Sequence, residues 1–555
     1  MKLARVLMAF MRRSLPEPVW AGNARICPAQ GRGGNSLPVR RPLSYIPTPQ
    51  MTLLSQCLVL AGSVLGTFAF AVEPNQSGPL QVVTASWFGG AGDEQIVGAD
   101  VRDDQSLVLA VNAVDLKLGA APVALGEAVA PAALAEGKKP NKNAKPADPN
   151  LAGHLVRLSI DGQKVLGIAR FPAGAATLRK LKCDPGGNLF ILGEAPGTLR
   201  LGGVSGTGRF VALLTPDAAR VRTAVFVTNA MDFAVDGNGD FVVLTKGHLK
   251  RFGSDGKEKW DVTWSSHGDN RPGGLAASPQ TGIAAVTGYG MTHTGKEPYK
   301  DPYAYAFSRE GKPLWSLWNP DPKLLVDKKF GGNGLMADTT GHFAGTDAAG
   351  KIFFSLFADG GNSVCTRDPK NVNGPLDSAV FDGVFQKSAG HGFKGASKTA
   401  VLFRVNPVSG QLEKGTWMCA WLTPQRANGL SMEAVAGDTK GRTFVVGSSA
   451  FGCPTKNPWF AGAEGGYQGG GYLAVFDEGF KLAQCGYFQG TSLDCVAYRN
   501  GYLVVAGTAS KESINGDKSK PDVKPVIAPV PQFKPLQREF GGGTKDGWFA
   551  VFKVE

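Results

Sequence analysis

The feature that most constrains this chain is a strand-turn-strand unit that recurs seven times. Its cleanest copy is DFAVDGNGDFVVL, residues 232–244: an inner strand, a tight turn at Asp236-Gly237-Asn238-Gly239, and a second, strongly apolar strand. The other copies read VGADVRDDQSLVLAVNA (97–113), LRKLKCDPGGNLFILGEA (178–195), GGLAASPQTGIAAVTGYG (273–290), FAGTDAAGKIFFSLFADG (343–360), MEAVAGDTKGRTFVVGSS (432–449) and DCVAYRNGYLVVAGTA (494–509). Alternating apolar residues broken by turn residues are an all-β signal, and the longer period laid over them marks a repeat architecture.

A second hairpin follows most copies, with an apolar strand, a polar turn and a strand ending in an aromatic residue. HLVRLSIDGQKVLGIARF, HLKRFGSDGKEKWDVTW, YAYAFSREGKPLWSLW, AVLFRVNPVSGQLEKGTW and YLAVFDEGFKLAQCGYF all follow this form. Two hairpins per unit give seven four-stranded antiparallel sheets. Such units bury their faces only against neighbours, and a closed ring does this without leaving long free edges. The chain ends in GWFAVFKVE (547–555), a third strand lacking its partner, and LQVVTASWFGG (80–90) is a fourth strand lacking its unit. Pairing them closes an all-β, seven-bladed β-propeller over residues 80–555.

The N-terminus carries a targeting pattern. TLLSQCLVLAGSVLGTFAFA (52–71) is an apolar run ending in the small-x-small pattern Ala69-Phe70-Ala71, which predicts a signal peptide over 51–71 and export to the periplasm, cell surface or medium. Residues 1–50 are unpatterned and read as a non-structured upstream extension. The interrupted apolar run and its cleavage pattern argue against a stable transmembrane anchor. Residues 1–71 carry eight Lys/Arg and one Asp/Glu, so their removal lowers the formal net charge from +13 to +6. That mild charge disfavours a nucleic-acid partner, and the closed ring is expected to be a monomer.

WFGGAGDEQIVGADVRDDQSLVLAVNA, DFAVDGNGDFVVLTKG and FGGGTKDGWFAVFKVE together resemble bacterial β-propeller repeats of the SBBP type. DGKEKWDV and EGKPLWSL are similar to the quinoprotein-like propeller repeat. The resemblance covers roughly residues 80–555 and implies a blade, but no particular activity.

Length is concentrated on one face. The loops joining second to third strands, at 114–153, 194–208, 289–302, 358–398, 449–470 and 509–546, share a face with the connections between blades, and only blade three has a tight one, at Lys246-Gly247. Loops on a rigid scaffold are where recognition accumulates, so this face is expected to meet a protein or glycan. Two insertions, 115–150 and 511–537, hold few packing residues and are expected to be flexible.

No complete catalytic signature is present: G-x-S-x-G, H-E-x-x-H and P-loop patterns are missing, and no cofactor is expected. Asp236, Asn238 and Asp240 imitate the start of a calcium loop, but Phe241 and Gly247 stand where a glycine and a bidentate glutamate are needed. The six histidines are scattered without metal-ligand spacing. The best ligand-binding candidates are Trp264, His267, Asp269, Arg271, Tyr289, His293, Lys296, Tyr299 and Tyr303, where aromatic faces and hydrogen-bonding groups suit sugars or extended peptides. Of the six cysteines beyond residue 71, Cys365 and Cys453 fall in long loops of neighbouring blades and could form a disulfide. Cys183 and Cys495 read as buried thiols. A binding or scaffold protein is the first expectation; a propeller-fold lyase, glycoside hydrolase or quinone-dependent oxidoreductase is the alternative. The quinone version is disfavoured because no vicinal cysteine pair occurs. A hydrolase would need two carboxylates, or a carboxylate and a histidine, converging on the pore mouth.

Overall fold

The computed structural model describes residues 73–116, 118–130, 148–264, 270–294, 297–319, 339–358, 364–387, 399–423, 426–462, 469–510 and 530–555. These build seven blades, each with four antiparallel strands running outward from a central channel. Blade 1 comprises Gln95–Val101, Ser106–Ala113, Ala152–Ser159 and Val165–Arg170, and blade 2 comprises Thr177–Cys183, Leu189–Leu201, Val204–Leu214 and Val221–Phe226. Blade 3 is the shortest, with Asp232–Val235, Phe241–Leu244, His248–Phe252 and Glu258–Thr263; blade 4 has Arg271–Ala277, Ala284–Thr294, Glu297–Phe307 and Pro313–Leu317. Blade 5 runs through Thr339–Thr346, Ile352–Ala358, Thr399–Val405 and Leu412–Met418, and blade 6 through Leu430–Gly437, Thr443–Ser449, Gly470–Phe476 and Leu482–Phe488. Blade 7 takes Thr491–Arg499, Tyr502–Ser510 and Lys545–Val554 from the C-terminus and its outermost strand, Leu80–Phe88, from the far end of the chain. Leu80 faces Val554 and Trp87 faces Trp548 in that register, which is the closure expected from the unpartnered terminal strands.

The part of each blade's second strand that lies in the core is mainly apolar because both of its faces are buried. Alternate residues go to opposite neighbours. In blade 1, Leu107 and Leu109 pack on Val504 and Phe549 of blade 7, while Val108 and Ala110 pack on Leu189 and Ile191 of blade 2. Phe190 and Leu192 meet Phe233 and Val243 of blade 3, whose Val242 and Leu244 in turn meet Leu275 and Val286 of blade 4. The remaining interfaces repeat this rule from blade 4 to 5, 5 to 6 and 6 to 7. A register slip of one residue would exchange every side chain between the two neighbours, so the ring holds the register of each strand from both sides.

Aspartates explain why the inner turn recurs. Asp184, Asp236, Asp347 and Asp438 close the inner strands of blades 2, 3, 5 and 6, and their side chains accept the backbone N–H four residues on, from Asn188, Asp240, Lys351 and Arg442, at 2.8–3.1 Å. This local bond is what favours Asp in such turns. The calcium-like pattern of blade 3 has the same explanation plus a cation: buried Arg251 donates to Asp236 and, at 3.2 Å, to Asp240, and Lys259 reaches Asp240 at 2.7 Å.

Several expected loops are ordered. The segments 194–208 and 289–302 are the tips of long hairpins, not loops: Gly193 faces Phe210 and Leu201 faces Val204 in blade 2, and Thr294 faces Glu297 in blade 4. Their strands continue past the core because backbone pairing persists where side-chain patterning has stopped. Part of the 115–150 insertion also forms strands, with Val123–Ala124 beside the outer strand of blade 1 and Glu127–Ala130 on the blade 2 hairpin; residues 131–147 lie outside the described residues. In the 511–537 insertion, 511–529 lie outside them, whereas Phe533 and Ala85 exchange backbone bonds at 3.0 and 2.8 Å along the edge of blade 7. Residues 364–387 form a cap on blades 4 and 5, burying Val364, Cys365, Val372 and Val380. No helix among the described residues is long and apolar enough to cross a membrane.

Candidate ligand-binding channel

The inner strands enclose a channel of about 850 Å³ lined by all seven blades. Each inner strand starts on the face that carries the inter-blade connections and the second-to-third-strand loops, so the N-terminal ends of these strands form the mouth on the loop-rich side. In six blades the inner strand bulges two or three residues from that end, leaving Val97, Arg179, Gly273, His342, Glu433 and Asp494 as the extra residue. A bulge re-aims the inserted side chain, and all six residues line the channel.

Their charges are unevenly distributed. On one side, Lys180 pairs with Asp232 at 2.5 Å and donates to the Phe233 carbonyl at 3.0 Å; burial lowers the ammonium pKa, and Asp232 opposes that shift. Arg179 beside it pairs with Glu194 at 3.1 Å. On the other side, His342 Nε2 lies 2.7 Å from Glu433 Oε2, with the imidazole tilted by 38° against Phe357 at a centroid distance of 4.3 Å. Burial would raise the Glu433 carboxyl, but the hydrogen bond and charge of His342 outweigh it and hold the group below its ordinary value. Asp494, on the next blade, is open to channel water yet walled in enough that desolvation, with Glu433 nearby, raises its pKa. The arrangement is a half-exposed carboxylate-imidazole pair with a second carboxylate beside it. It can hold a hydrogen-bonding or cationic group, and it can exchange a proton.

The residues expected to bind a ligand are placed differently. Trp264 and Tyr303 are buried, and with Tyr305 they form a ring cluster with centroids 5.3–5.8 Å apart between blades 3 and 4. The Tyr303 hydroxyl donates to Asn270, so both rings serve packing. Arg271 and Tyr289 sit opposite each other at the start of blade 4. His293 and Tyr299 fall on the two strands of its projecting hairpin, facing Pro298 and Thr292. His267, Asp269 and Lys296 lie outside the described residues. Cys365 and Cys453 are buried in different clusters, so the structure does not bring the expected pair together. No group of three or more His, Cys, Asp or Glu among the described residues is arranged to hold a metal ion.

Sequence reasoning passed over His342, Glu433 and Asp494. The signal was available: aligning the seven inner strands on their closing turns puts these three polar residues at one position, two residues or so inside otherwise apolar runs.

The fold thus defines a seven-bladed β-propeller with a polar channel mouth. No family model and no curated protein sequence matches the chain. Among solved structures it is similar to the WD40 domain of Neurospora crassa Pan2, with 10% identity over 68% of this chain and 89% of that one and a TM-score of 0.33. It is also similar to virginiamycin B lyase from Staphylococcus aureus, with 8% identity over 84% and 97% and a TM-score of 0.38, and to a chain of the Mitotic Checkpoint Complex, with 7% identity over 76% and 90% and a TM-score of 0.40.

Proposed function

We propose that this protein is an exported, monomeric binding or scaffold propeller of the bacterial SBBP type that recognises a protein or glycan through its loop-rich face. The observation that carries the reading is the convergence of unlike features on that face. The two projecting hairpins and the polar bulge residues of the channel mouth lie there, whereas the opposite face carries short aspartate-closed turns. Export rests on the apolar run at 52–71. A pull-down from the native extracellular fraction, run beside a glycan array, tests the reading. A retained protein or glycan should be lost when residues 197–206 of the blade 2 hairpin are replaced by Asn-Gly, and weakened by Glu433→Gln. Retention unchanged in both variants would sink it.

A second reading is hydrolytic, favoured by the 2.7 Å contact between His342 and Glu433 at the mouth. It has less support, because two buried, strongly perturbed carboxylates would suit acid-base hydrolysis better, and here Glu433 is lowered and half-exposed. Turnover of any glycoside or ester by the wild type that Glu433→Gln and His342→Ala both abolish would make this reading the better one.

A further inference from the structure

A different cysteine pair meets in the structure. Cys453 lies on the loop that follows the second strand of blade 6, and Cys485 lies in that blade's outer strand. The loop runs beside the strand: Lys456 N–H donates to the Cys485 carbonyl at 2.9 Å, and Cys485 N–H donates to the Lys456 carbonyl at 2.8 Å. Three residues before this bridge, the chain turns Cys453 inward. Both side chains are buried in one cluster with Tyr472, where the Cys453 thiol is the largest influence on that of Cys485; the Cys453 thiol itself donates to the Pro454 carbonyl at 3.6 Å. Cys419 instead accepts a contact from Gln386, and Cys365 sits under the cap of blades 4 and 5.

We infer that Cys453 and Cys485 form a disulfide that staples the blade 6 loop to its own sheet. The co-reactant is a disulfide-bearing oxidant, either a small molecule or a protein. The thiolate of Cys453, on the loop and not in the sheet, attacks one sulfur of the oxidant and releases its first thiol. The sulfur of Cys485 then displaces the second, so two S–H bonds are lost, one S–S bond forms, and the oxidant carries away both electrons and both protons as two thiols. The neighbouring Cys453 thiol and burial raise the Cys485 pKa, which makes Cys485 the poorer initial nucleophile and leaves the first attack to Cys453.

The location gives the staple a purpose. The same loop carries Trp459, buried against Phe488 of blade 6 and Phe552 of blade 7. Its indole N–H donates to the Leu80 carbonyl at 3.0 Å, and its own carbonyl accepts from Asn75 N–H at 2.7 Å. Fixing the loop therefore fixes the segment that delivers the closing strand to blade 7. The pairing depends on the thiol geometry and not on export, so it can be tested on the purified full chain.

Oxidised glutathione, added to the reduced protein and followed by alkylation and non-reducing peptide mapping, should yield a linked peptide pair containing Cys453 and Cys485, two hydrogens lighter than the free thiols. The melting temperature should rise by a few degrees and return when dithiothreitol is added. Cys453→Ser and Cys485→Ser should each lose the linked peptides and the shift; Cys453→Ala, a loop substitution, provides the check if Cys485→Ser does not fold. Full alkylation of both cysteines after oxidation with mild warming, or a link from Cys453 to Cys365, would overturn the inference.

Discussion

Blade 3 and the closing seam each bury two carboxylates, and they carry that burden in opposite ways. In blade 3, Asp236 and Asp240 share the fully buried guanidinium of Arg251, which also donates to the Gly282 carbonyl at 2.9 Å, with Arg309 at 3.5 Å from Asp236. At the seam, Glu94 and Asp546 are buried at 1% and 0% exposure, and no ion pair to a cation is formed by either among the described residues. They sit where two glycine-rich turns, Gly89-Gly90 and Gly541-Gly542-Gly543, press together: a Cβ on Gly89 would lie 2.8 Å from both carboxyl groups, and one on Gly541 would lie 2.1 Å from the Gly90 carbonyl. Backbone N–H groups face the carboxylates, with Gly541 donating to Asp546 at 2.6 Å. Desolvation, with the Asp546 charge adding to it, pushes Glu94 up to about 7, and Asp93, whose carboxylate accepts from Thr544, adds to the rise at Asp546. The difference teaches that a buried carboxylate pair can be balanced by a permanent cation or by a shared proton, and the shared proton makes stability fall as pH rises towards neutrality.

Removing the cation should have the largest effect. Arg251→Leu leaves Asp236 and Asp240 buried without their main partner and is expected to cost about 3–5 kcal/mol, read as a lower denaturant midpoint. An unchanged midpoint would mean that Lys259 and Arg309 suffice. The seam comes next, and its sign follows from linkage. The folded protein holds the Glu94 proton more tightly than the unfolded chain, so this contribution is complete below about pH 4.5, declines as pH rises, and is gone above about 7. Glu94→Gln should flatten the stability profile between these limits and stabilise the protein at pH 8 by on the order of 2–3 kcal/mol; parallel profiles for wild type and variant would refute the shared proton.

A half-buried pair should fall lower on the scale. Lys180→Met strips Asp232 of its ammonium but leaves the carboxylate accepting from Leu275 N–H at 2.9 Å, so a loss of about 1 kcal/mol is expected in chemical denaturation. A cost equal to that of Arg251→Leu would show that channel water does not relieve the charge. The smallest effect is expected from His248→Ala, which breaks an exposed 3.0 Å contact with Asp261 and should change stability by less than about 0.5 kcal/mol. A larger change in thermal unfolding would count against burial as the ordering variable.

Local pattern carried the architecture. The seven apolar second strands, the aspartate-closed turns and the complementary ends at 80–90 and 547–555 identify the propeller and its closure, because a ring buries both faces of each blade and so writes its demands into every repeat. The site was less legible. Trp264 and Tyr303 look like a ligand platform when read along the chain, yet they pack between blades 3 and 4. His342, Glu433 and Asp494 are roughly 60 to 150 residues apart, and each looks like an isolated polar residue in a strand.

What the sequence determined by itself was therefore the repeat: its period, its turn chemistry, the count of blades and the pairing of the two ends. These depend on side-chain alternation and on bonds between residues a few positions apart. Tertiary structure alone decided which residues meet across the ring. It aimed the bulged residues into the channel, extended two expected loops into hairpins, set Cys453 beside Cys485 instead of Cys365, and left Glu94 facing Asp546 across the seam. The channel and seam contacts are consequences of ring closure, the cysteine contact and the hairpins follow from how one blade folds back on itself, and no short-range pattern encodes either.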